Sequence, residues 1–108
     1  MIARTWSASA NAGGAAAYQR HFESHVLSEL AEVPGYLDAF LLCREESGRV
    51  ELTVLSFWNS VDAIRRFAGP EYETAVVHDD AKAVLDHFDT VVRHYSVAVA
   101  ASEAGGEE

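Results

Sequence analysis

Apolar residues between positions 15 and 33 recur at steps of three and four, the spacing of one face of an α-helix. The residues on this face are Tyr18, Phe22, Val26, Leu30 and Val33. Pro34-Gly35 follows directly and predicts the end of this helix. Ahead of the helix, residues 2–7 predict a strand, and residues 11–14 predict a loop that leads into the helix.

The next part of the chain predicts a β-hairpin. Residues 36–45 and 49–58 predict its two strands, and Glu46-Ser47-Gly48 predicts the turn. Both strands contain apolar runs, at residues 40–43 and 54–58. A strand with one solvent-exposed face would instead alternate apolar and polar residues. A chain this short has helices for only one face of its sheet. The apolar runs therefore predict that a second copy of the chain covers the other face, in a homodimer.

The segment after Trp58 predicts a short helix with clear ends. Ser60 has a side chain that caps a helix N-terminus, and Asp62 adds negative charge in the first turn. Ile64 and Phe67 supply apolar positions at helical spacing, and Gly69-Pro70 ends the helix.

The last third of the chain predicts one more helix and one more strand. Asp79 or Asp80 begins the helix, and residues 89–98 form the strand. The apolar positions of that helix are Ala81, Val84, Leu85 and Phe88. The whole order is β-α-β-β-α-α-β, which predicts one α+β domain of ferredoxin-like βαββαβ type over residues 1–99. Its four-stranded antiparallel sheet is followed by a flexible acidic tail over residues 100–108.

Composition excludes several classes of partner. The net charge of −9 is unfavourable for nucleic acid and for an anionic membrane surface, since both attract basic proteins. No apolar run approaches about 20 residues, so no membrane span is expected. Cys43 is the single cysteine, so no internal disulfide forms, as expected for a cytoplasmic protein. Its place within a strand predicts a buried side chain.

The sequence also resembles a known family. The resemblance covers residues 1–99. It depends on the order of five features along the chain: a strand that ends at Trp58, a helix that begins with Ser60 and Ala63, the Gly-Pro stop, His78, and the closing segment VRHYSV at residues 92–97. This order resembles the antibiotic-biosynthesis-monooxygenase-like group of the dimeric α/β-barrel superfamily. The resemblance implies a sheet-to-sheet dimer and a pocket between sheet and helices. That group includes cofactor-independent oxygenases of aromatic compounds, heme-degrading oxygenases and members without assigned chemistry.

Cofactor-independent oxygenation of a phenol, quinol or polyketide-type aromatic needs an apolar pocket, a base and a hydrogen-bond donor. His78 is the candidate base, because imidazole titrates near neutral pH. Tyr72 or Asn59 is the candidate donor. The candidate substrate-binding residues are Trp58, Phe67, Arg66 and Arg93. Neither a cofactor nor a metal site is predicted, since His21 and His25 at i, i+4 have no third ligand in a recognisable motif.

Other interpretations of these residues stay open. A heme-degrading relative implies a proximal histidine near His78, but it also implies a tryptophan where this chain has Phe67 and an asparagine where it has Trp6-Ser7. Alternatively the chain is a non-catalytic or stress-related dimer that binds a small molecule in the same cavity. Trp58 is then a core residue, and His78 is a solvated residue at a helix start.

Overall fold

A computed structural model describes residues 1–101 of the chain. Its strands are β1 (Ile2–Asn11), β2 (Tyr36–Glu46), β3 (Arg49–Trp58), β4 (His87–Phe88) and β5 (Arg93–Ser96). Its helices are α1 (Ala12–His21), α2 (Leu27–Ala31), α3 (Val61–Ala68) and α4 (Asp79–Lys82), and a π-helical turn (Phe22–Val26) joins α1 to α2. Most of the tail predicted over residues 100–108 lies outside the described residues.

The sheet is antiparallel and places β1 at its centre. Strand β3 pairs with one side of β1 along the whole strand, β4 and β5 pair with the other side, and β2 forms the edge next to β3. The predicted ferredoxin-like α+β fold is confirmed. We call the face that carries Arg4, Trp6, Val54, Ser56 and Trp58 the inner face, because the helices pack against it.

The first helix starts earlier than its apolar spacing predicts. The Asn11 side chain caps it by accepting a hydrogen bond from the Gly14 backbone N–H at 2.8 Å. Tyr18, Phe22 and Leu30 of the predicted stripe are buried against the inner face. The helix therefore turns its predicted apolar face to the sheet, although a π-helical turn interrupts it.

Two predicted turns are confirmed, and each has a backbone reason. Ser47 and Gly48 both have positive φ, 54° and 79°, as a two-residue turn between twisted antiparallel strands requires. Gly35 has φ 96°, and a Cβ atom added there would lie 2.5 Å from the Cβ of Ala63. The Pro34-Gly35 turn thus combines a left-handed backbone with a close approach to α3 that only glycine allows.

The prediction for the last third of the chain was wrong in two details. Helix α4 is a single turn, and Phe88 belongs to strand β4. The predicted strand over residues 89–98 is interrupted, because residues 90–92 bond to another segment: the Ala75 N–H donates to the Thr90 carbonyl, and the Val92 N–H donates to the Glu73 carbonyl, both at 2.9 Å. Residues 73–78 therefore run alongside the sheet edge and over its inner face.

The opposite side of the sheet, the outer face, is uncovered in the single chain and carries an apolar patch on β2 and β3 beside polar positions such as Ser7, Glu51 and Thr53. Phe40 is directly opposite Leu55 in the β2–β3 pair, and Phe40 and Leu42 are 45% and 49% exposed. Cys43 lies on the inner face, opposite Leu52, but it is exposed, so the prediction of a buried cysteine was wrong for the single chain. The reason is local: β2 is an edge strand, and residues 42–49 all lie in exposed positions.

Among residues 1–101, no helix combines the length and the apolar character needed to span a membrane.

Candidate functional site

A cavity of about 60 Å³ lies between the inner face of the sheet, the first helix and the segment that precedes α4. Its lining is mostly apolar and aromatic. The lining residues are Arg4, Trp6, Tyr18, His21, Val26, Glu29, Leu30, Val54, Ser56, Phe67, Val76, Val77, His78, Ala81 and Val92. The polar members fall into two groups, one at the rim and one on the strands, and these groups determine what the cavity can do.

The rim group is a row of three side chains in polar contact with one another. Nδ1 of His78 lies 3.3 Å from Nε2 of His21, and Nε2 of His78 lies 3.3 Å from Oε1 of Glu29. A carboxylate has no proton to share, so the tautomer of His78 that suits this contact carries its proton on Nε2, facing Glu29. In neutral His78, Nδ1 then accepts the Nε2–H of His21. This assignment leaves Nδ1 of His21 as the basic nitrogen at the end of the row.

The charge state of His21 suits a proton acceptor. Partial burial and the nearby rings of His78 and His25 lower the pKa of His21 below its usual value. The His21 ring is therefore neutral at pH 7 and has a lone pair available. Glu29 stabilises positive charge that arrives on His78, because the two groups are already in contact.

The second polar group lies on adjacent strands. Arg4 of β1 is directly opposite Ser56 of β3, and the two residues are 6% and 4% exposed. Nη1 of Arg4 donates to the Tyr72 carbonyl at 2.7 Å and contacts Nε2 of His94 at 3.0 Å. The Ser56 hydroxyl accepts a hydrogen bond from the indole N–H of Trp58 at 2.9 Å. A buried cation and a hydroxyl thus share one part of the cavity wall.

An aromatic wall connects the strand end of the cavity to its rim. The ring centroids of Trp6 and Tyr18 are 5.7 Å apart, and those of Tyr18 and His21 are 5.8 Å apart. Burial raises the pKa of Tyr18 to about 12, so its hydroxyl stays protonated at neutral pH. Tyr18 can therefore donate a hydrogen bond to a ligand in the cavity.

Two of the candidate residues predicted from the sequence, His78 and Phe67, line the cavity. Trp58 lies directly behind it, fully buried against Leu30, Ala63 and Ile64. Its ring contacts Phe67 at 5.7 Å between centroids. Trp58 therefore supports the cavity wall from the core and does not form its surface.

The other four candidates lie outside the lining. The Tyr72 ring packs beside His94 and under the Arg65 guanidinium, so its backbone carbonyl, not its hydroxyl, reaches the cavity region through Arg4. Asn59 and Arg93 are exposed. Arg66 is also exposed, and it donates to the Pro34 carbonyl at 3.2 Å.

Sequence reasoning missed Arg4 and Glu29, placed Tyr18 only in the apolar stripe of the first helix, and considered His21 only as a possible metal ligand. The signal for Arg4 was present, since it occupies an even position in a strand whose other even residues are apolar: Ile2, Trp6, Ala8 and Ala10. Glu29 carries no such signal, because a glutamate on a helix is usually a solvated residue.

The histidine pair of the first helix does not converge on a common point. The His21 and His25 rings are stacked at 5.2 Å with 17° between their planes, and Nδ1 of His25 contacts the Ser24 hydroxyl. Within residues 1–101, no three His, Cys, Asp or Glu side chains are grouped closely enough to hold a metal ion.

Solved structures of similar fold include an oxygenase and a heme degrader. SnoaB, a cofactor-independent oxygenase from Streptomyces nogalater, is 17% identical with a TM-score of 0.59, over 92% of this chain and 95% of SnoaB. The ActVA-Orf6 monooxygenase of Streptomyces coelicolor, solved with nanaomycin D, is 13% identical with a TM-score of 0.65, over 92% and 88%. MhuD, a heme degrader of Mycobacterium tuberculosis solved with two hemes, is 17% identical with a TM-score of 0.59, over 93% and 98%.

At this level of identity the structures establish the fold alone. No match was found among curated protein sequences. Family membership follows from the sequence itself, because the profile of the antibiotic biosynthesis monooxygenase family matches residues 1–79. With its ferredoxin-like fold and that match, the chain belongs to the antibiotic biosynthesis monooxygenase family.

Proposed function

We propose that this protein is a cofactor-independent monooxygenase that oxidises a hydrophobic phenol or quinol in the cavity between sheet and helices. The observation that carries this proposal is the row His21–His78–Glu29 at the rim of an aromatic cavity. A base with an available lone pair beside apolar walls is what deprotonation of a phenol requires.

In the proposed reaction, Nδ1 of His21 accepts the proton of the substrate. The His21 Nε2–H is passed to Nδ1 of His78, and Glu29 stabilises the resulting imidazolium. The substrate carbanion then gives its electrons to dioxygen and forms a carbon–oxygen bond, and the resulting peroxide anion takes back the proton held by the histidine pair to become a hydroperoxide. Loss of water from this hydroperoxide leaves a carbonyl group, so one oxygen atom enters the product and the other leaves as water. The substrate supplies all of the electrons.

We assign the hydrogen-bond donor for the developing oxyanion to Tyr18. Its hydroxyl is protonated, its ring contacts His21, and no group among residues 1–101 is hydrogen-bonded to that hydroxyl. Tyr72 and Asn59, the donors expected from the sequence, lie outside the cavity lining. Phe67 and Trp6 provide the aromatic walls.

The cavity must enlarge to admit a substrate. A volume of about 60 Å³ is smaller than the roughly 150 Å³ cavity that accommodates benzene in an engineered protein. Val76 and Val77 line the cavity on a segment with no regular secondary structure, attached to the sheet edge through residues 73–75. We propose that this segment shifts outward when an aromatic substrate binds.

Heme does not fit these residues. The candidate iron ligand is His78, and both of its nitrogens are engaged, one with His21 and one with Glu29. Phe67 has no indole N–H, and the indole N–H of Trp6 donates to the Asp89 carbonyl at 2.7 Å. No step of the proposed reaction involves heme.

We propose in addition that the protein is a homodimer in which the outer faces of two sheets pack together. In the single chain Phe40 and Leu42 are about half exposed, and they are contiguous with Leu55 and Phe57 across the β2–β3 pair. A contiguous apolar patch of this kind marks a protein–protein contact.

Sedimentation equilibrium at micromolar concentration tests the dimer. We expect twice the chain mass of 11.8 kDa for the wild type. Phe40→Glu places a charge in the apolar patch of the outer face and should give a monomer or a strongly weakened dimer. Val76→Glu changes an equally exposed valine on the other side of the sheet and should leave the dimer intact. A wild type that sediments as a monomer would contradict the proposal.

Oxygen uptake tests the reaction. The protein, treated with chelator, is incubated with a panel of anthrones and hydroquinones, and uptake is followed with an oxygen electrode. We expect protein-dependent uptake with one oxygen molecule consumed per carbonyl formed and no hydrogen peroxide released. Binding of these aromatics without any uptake would favour the alternative, a non-catalytic small-molecule-binding protein that uses the same cavity.

A further inference from the structure

We propose that Arg4 binds the carboxylate of an aromatic acid, so that the preferred ligands of this cavity are anionic aromatic compounds. This proposal deepens the proposed function: it uses the same cavity, but it does not depend on any reaction with oxygen. It starts from a buried cation whose hydrogen-bond partners within residues 1–101 are uncharged.

Burial makes Arg4 unusual among the arginines of this chain. The residue is 6% exposed, and its hydrogen bonds go to a neutral carbonyl and a histidine ring. None of the ion pairs formed within residues 1–101 includes it. Buried charges in proteins are ordinarily paired, because an unpaired charge away from water is costly. An anion supplied by a ligand would provide the missing charge.

The side chain is nevertheless charged and held in place. Burial lowers the pKa of Arg4 only to about 10, so the guanidinium is protonated at neutral pH. The Tyr72 carbonyl and the His94 ring hold Nη1, and the guanidinium carbon lies 5.8 Å from the centroid of the Phe67 ring. The cation is therefore positioned before any ligand arrives.

The donors that remain on Arg4 match a carboxylate. A guanidinium has five N–H groups, and the two contacts of Nη1 use at most two of them. The Nε–H and Nη2–H edge makes no hydrogen bond to residues 1–101 and has the parallel geometry that a planar carboxylate accepts. Ser56 adds a further donor beside it, because its oxygen accepts from Trp58 and its O–H remains available.

The surroundings of Arg4 suit an aromatic group attached to that carboxylate. Trp6 lies two residues away on the same face of β1, and the wall formed by Trp6 and Tyr18 leads to His21. A ligand with its acid group at Arg4 would extend its ring along this wall toward the base. The ligand class is therefore an aromatic acid that carries a phenol or quinol at its far end.

Titration calorimetry with the whole protein at pH 7 tests this proposal. It measures the affinities of three probes: 2-naphthoate, its methyl ester and 2-naphthol. These probes bind without oxygen chemistry, so a failed oxygen-uptake test leaves the result interpretable. We expect the wild type to bind naphthoate at least about 10-fold more tightly than the ester. Arg4→Gln should weaken naphthoate binding about 10- to 100-fold and leave ester binding within about 3-fold.

Arg20→Gln is the matched control, because Arg20 is exposed on α1 and is not part of the cavity lining. It should leave the preference for naphthoate unchanged. If circular dichroism shows that Arg4→Gln does not fold, Arg4→Lys replaces it, and a reduced preference is expected because the lysine keeps the charge without the forked donors. Three results would each overturn the proposal: equal binding of naphthoate and ester by the wild type, tighter binding of naphthol than of naphthoate, or an undiminished preference in the Arg4 variant.

Discussion

His78→Ala is expected to lower the turnover of an oxidisable phenol or quinol by about 10²- to 10⁴-fold, the contribution typical of a positioned acid–base group. His78 lies between His21 and Glu29, so its removal leaves the base at His21 without the partner that takes up its second proton. The fold should be retained, because the His78 side chain is partly exposed and lies at the start of a one-turn helix. Initial rates of oxygen uptake at saturating substrate measure the effect.

The matched control is His87→Ala. The His87 side chain is 71% exposed and contacts Asp89 away from the cavity, so its replacement should leave turnover unchanged. Tyr72→Phe should have little effect, because only the backbone carbonyl of Tyr72 contacts the cavity residue Arg4. Full turnover by His78→Ala, with the wild type active in the same assay, would remove the histidine row from the mechanism.

Trp58→Ala is expected to lower the free energy of unfolding by about 3–5 kcal/mol, the range for truncation of a large buried aromatic side chain. Trp58 is fully buried, its ring lies between Tyr36 at 5.6 Å and Phe67 at 5.7 Å, and Leu30 and Ile64 complete its surroundings. The residue that the sequence suggested for substrate binding should therefore act mainly on stability. Urea denaturation followed by circular dichroism measures the change.

Trp58→Phe is the intermediate case. It keeps a six-membered ring and removes the five-membered part of the indole together with the N–H that donates to Ser56, so the expected loss is smaller than for alanine, about 1–3 kcal/mol. If Trp58→Ala retained wild-type stability and lost ligand binding instead, Trp58 would be a ligand contact and its place in the core would not explain its role.

The sequence predicted the fold well because its local signals agree with one another. The apolar stripe of the first helix, the two-residue turn at Ser47-Gly48 and the cap at Ser60 each act over a few residues. Their geometry is fixed by backbone dihedral angles and short-range hydrogen bonds. The prediction of one continuous strand over residues 89–98 failed, because part of this segment forms backbone hydrogen bonds with residues 73–75 and not with the sheet. No local signal in the sequence reports that pairing.

The candidate site was predicted less completely because it is assembled from distant positions. His21 and His78 are 57 residues apart, and Arg4 and Tyr72 are 68 residues apart. No local pattern reports which side chains from different elements will meet. His78 was identified from its place after the Gly-Pro stop, but its partners Glu29 and His21 follow only from the packing of the first helix over the segment before α4.

By itself, the sequence determined the ferredoxin-like class, the apolar patch of the outer face and the order of elements through α3, since each follows from spacing or turn chemistry, and its resemblance to a known family indicated the family. Only the tertiary structure decided that Trp58 belongs to the core, that Tyr72 contributes a carbonyl in place of a hydroxyl, and that Arg4 is buried without a countercharge among the described residues. The physical reason is that burial and charge pairing depend on which side chains the folded chain brings into contact. Periodicity tells which face of an element is covered, but not which groups cover it.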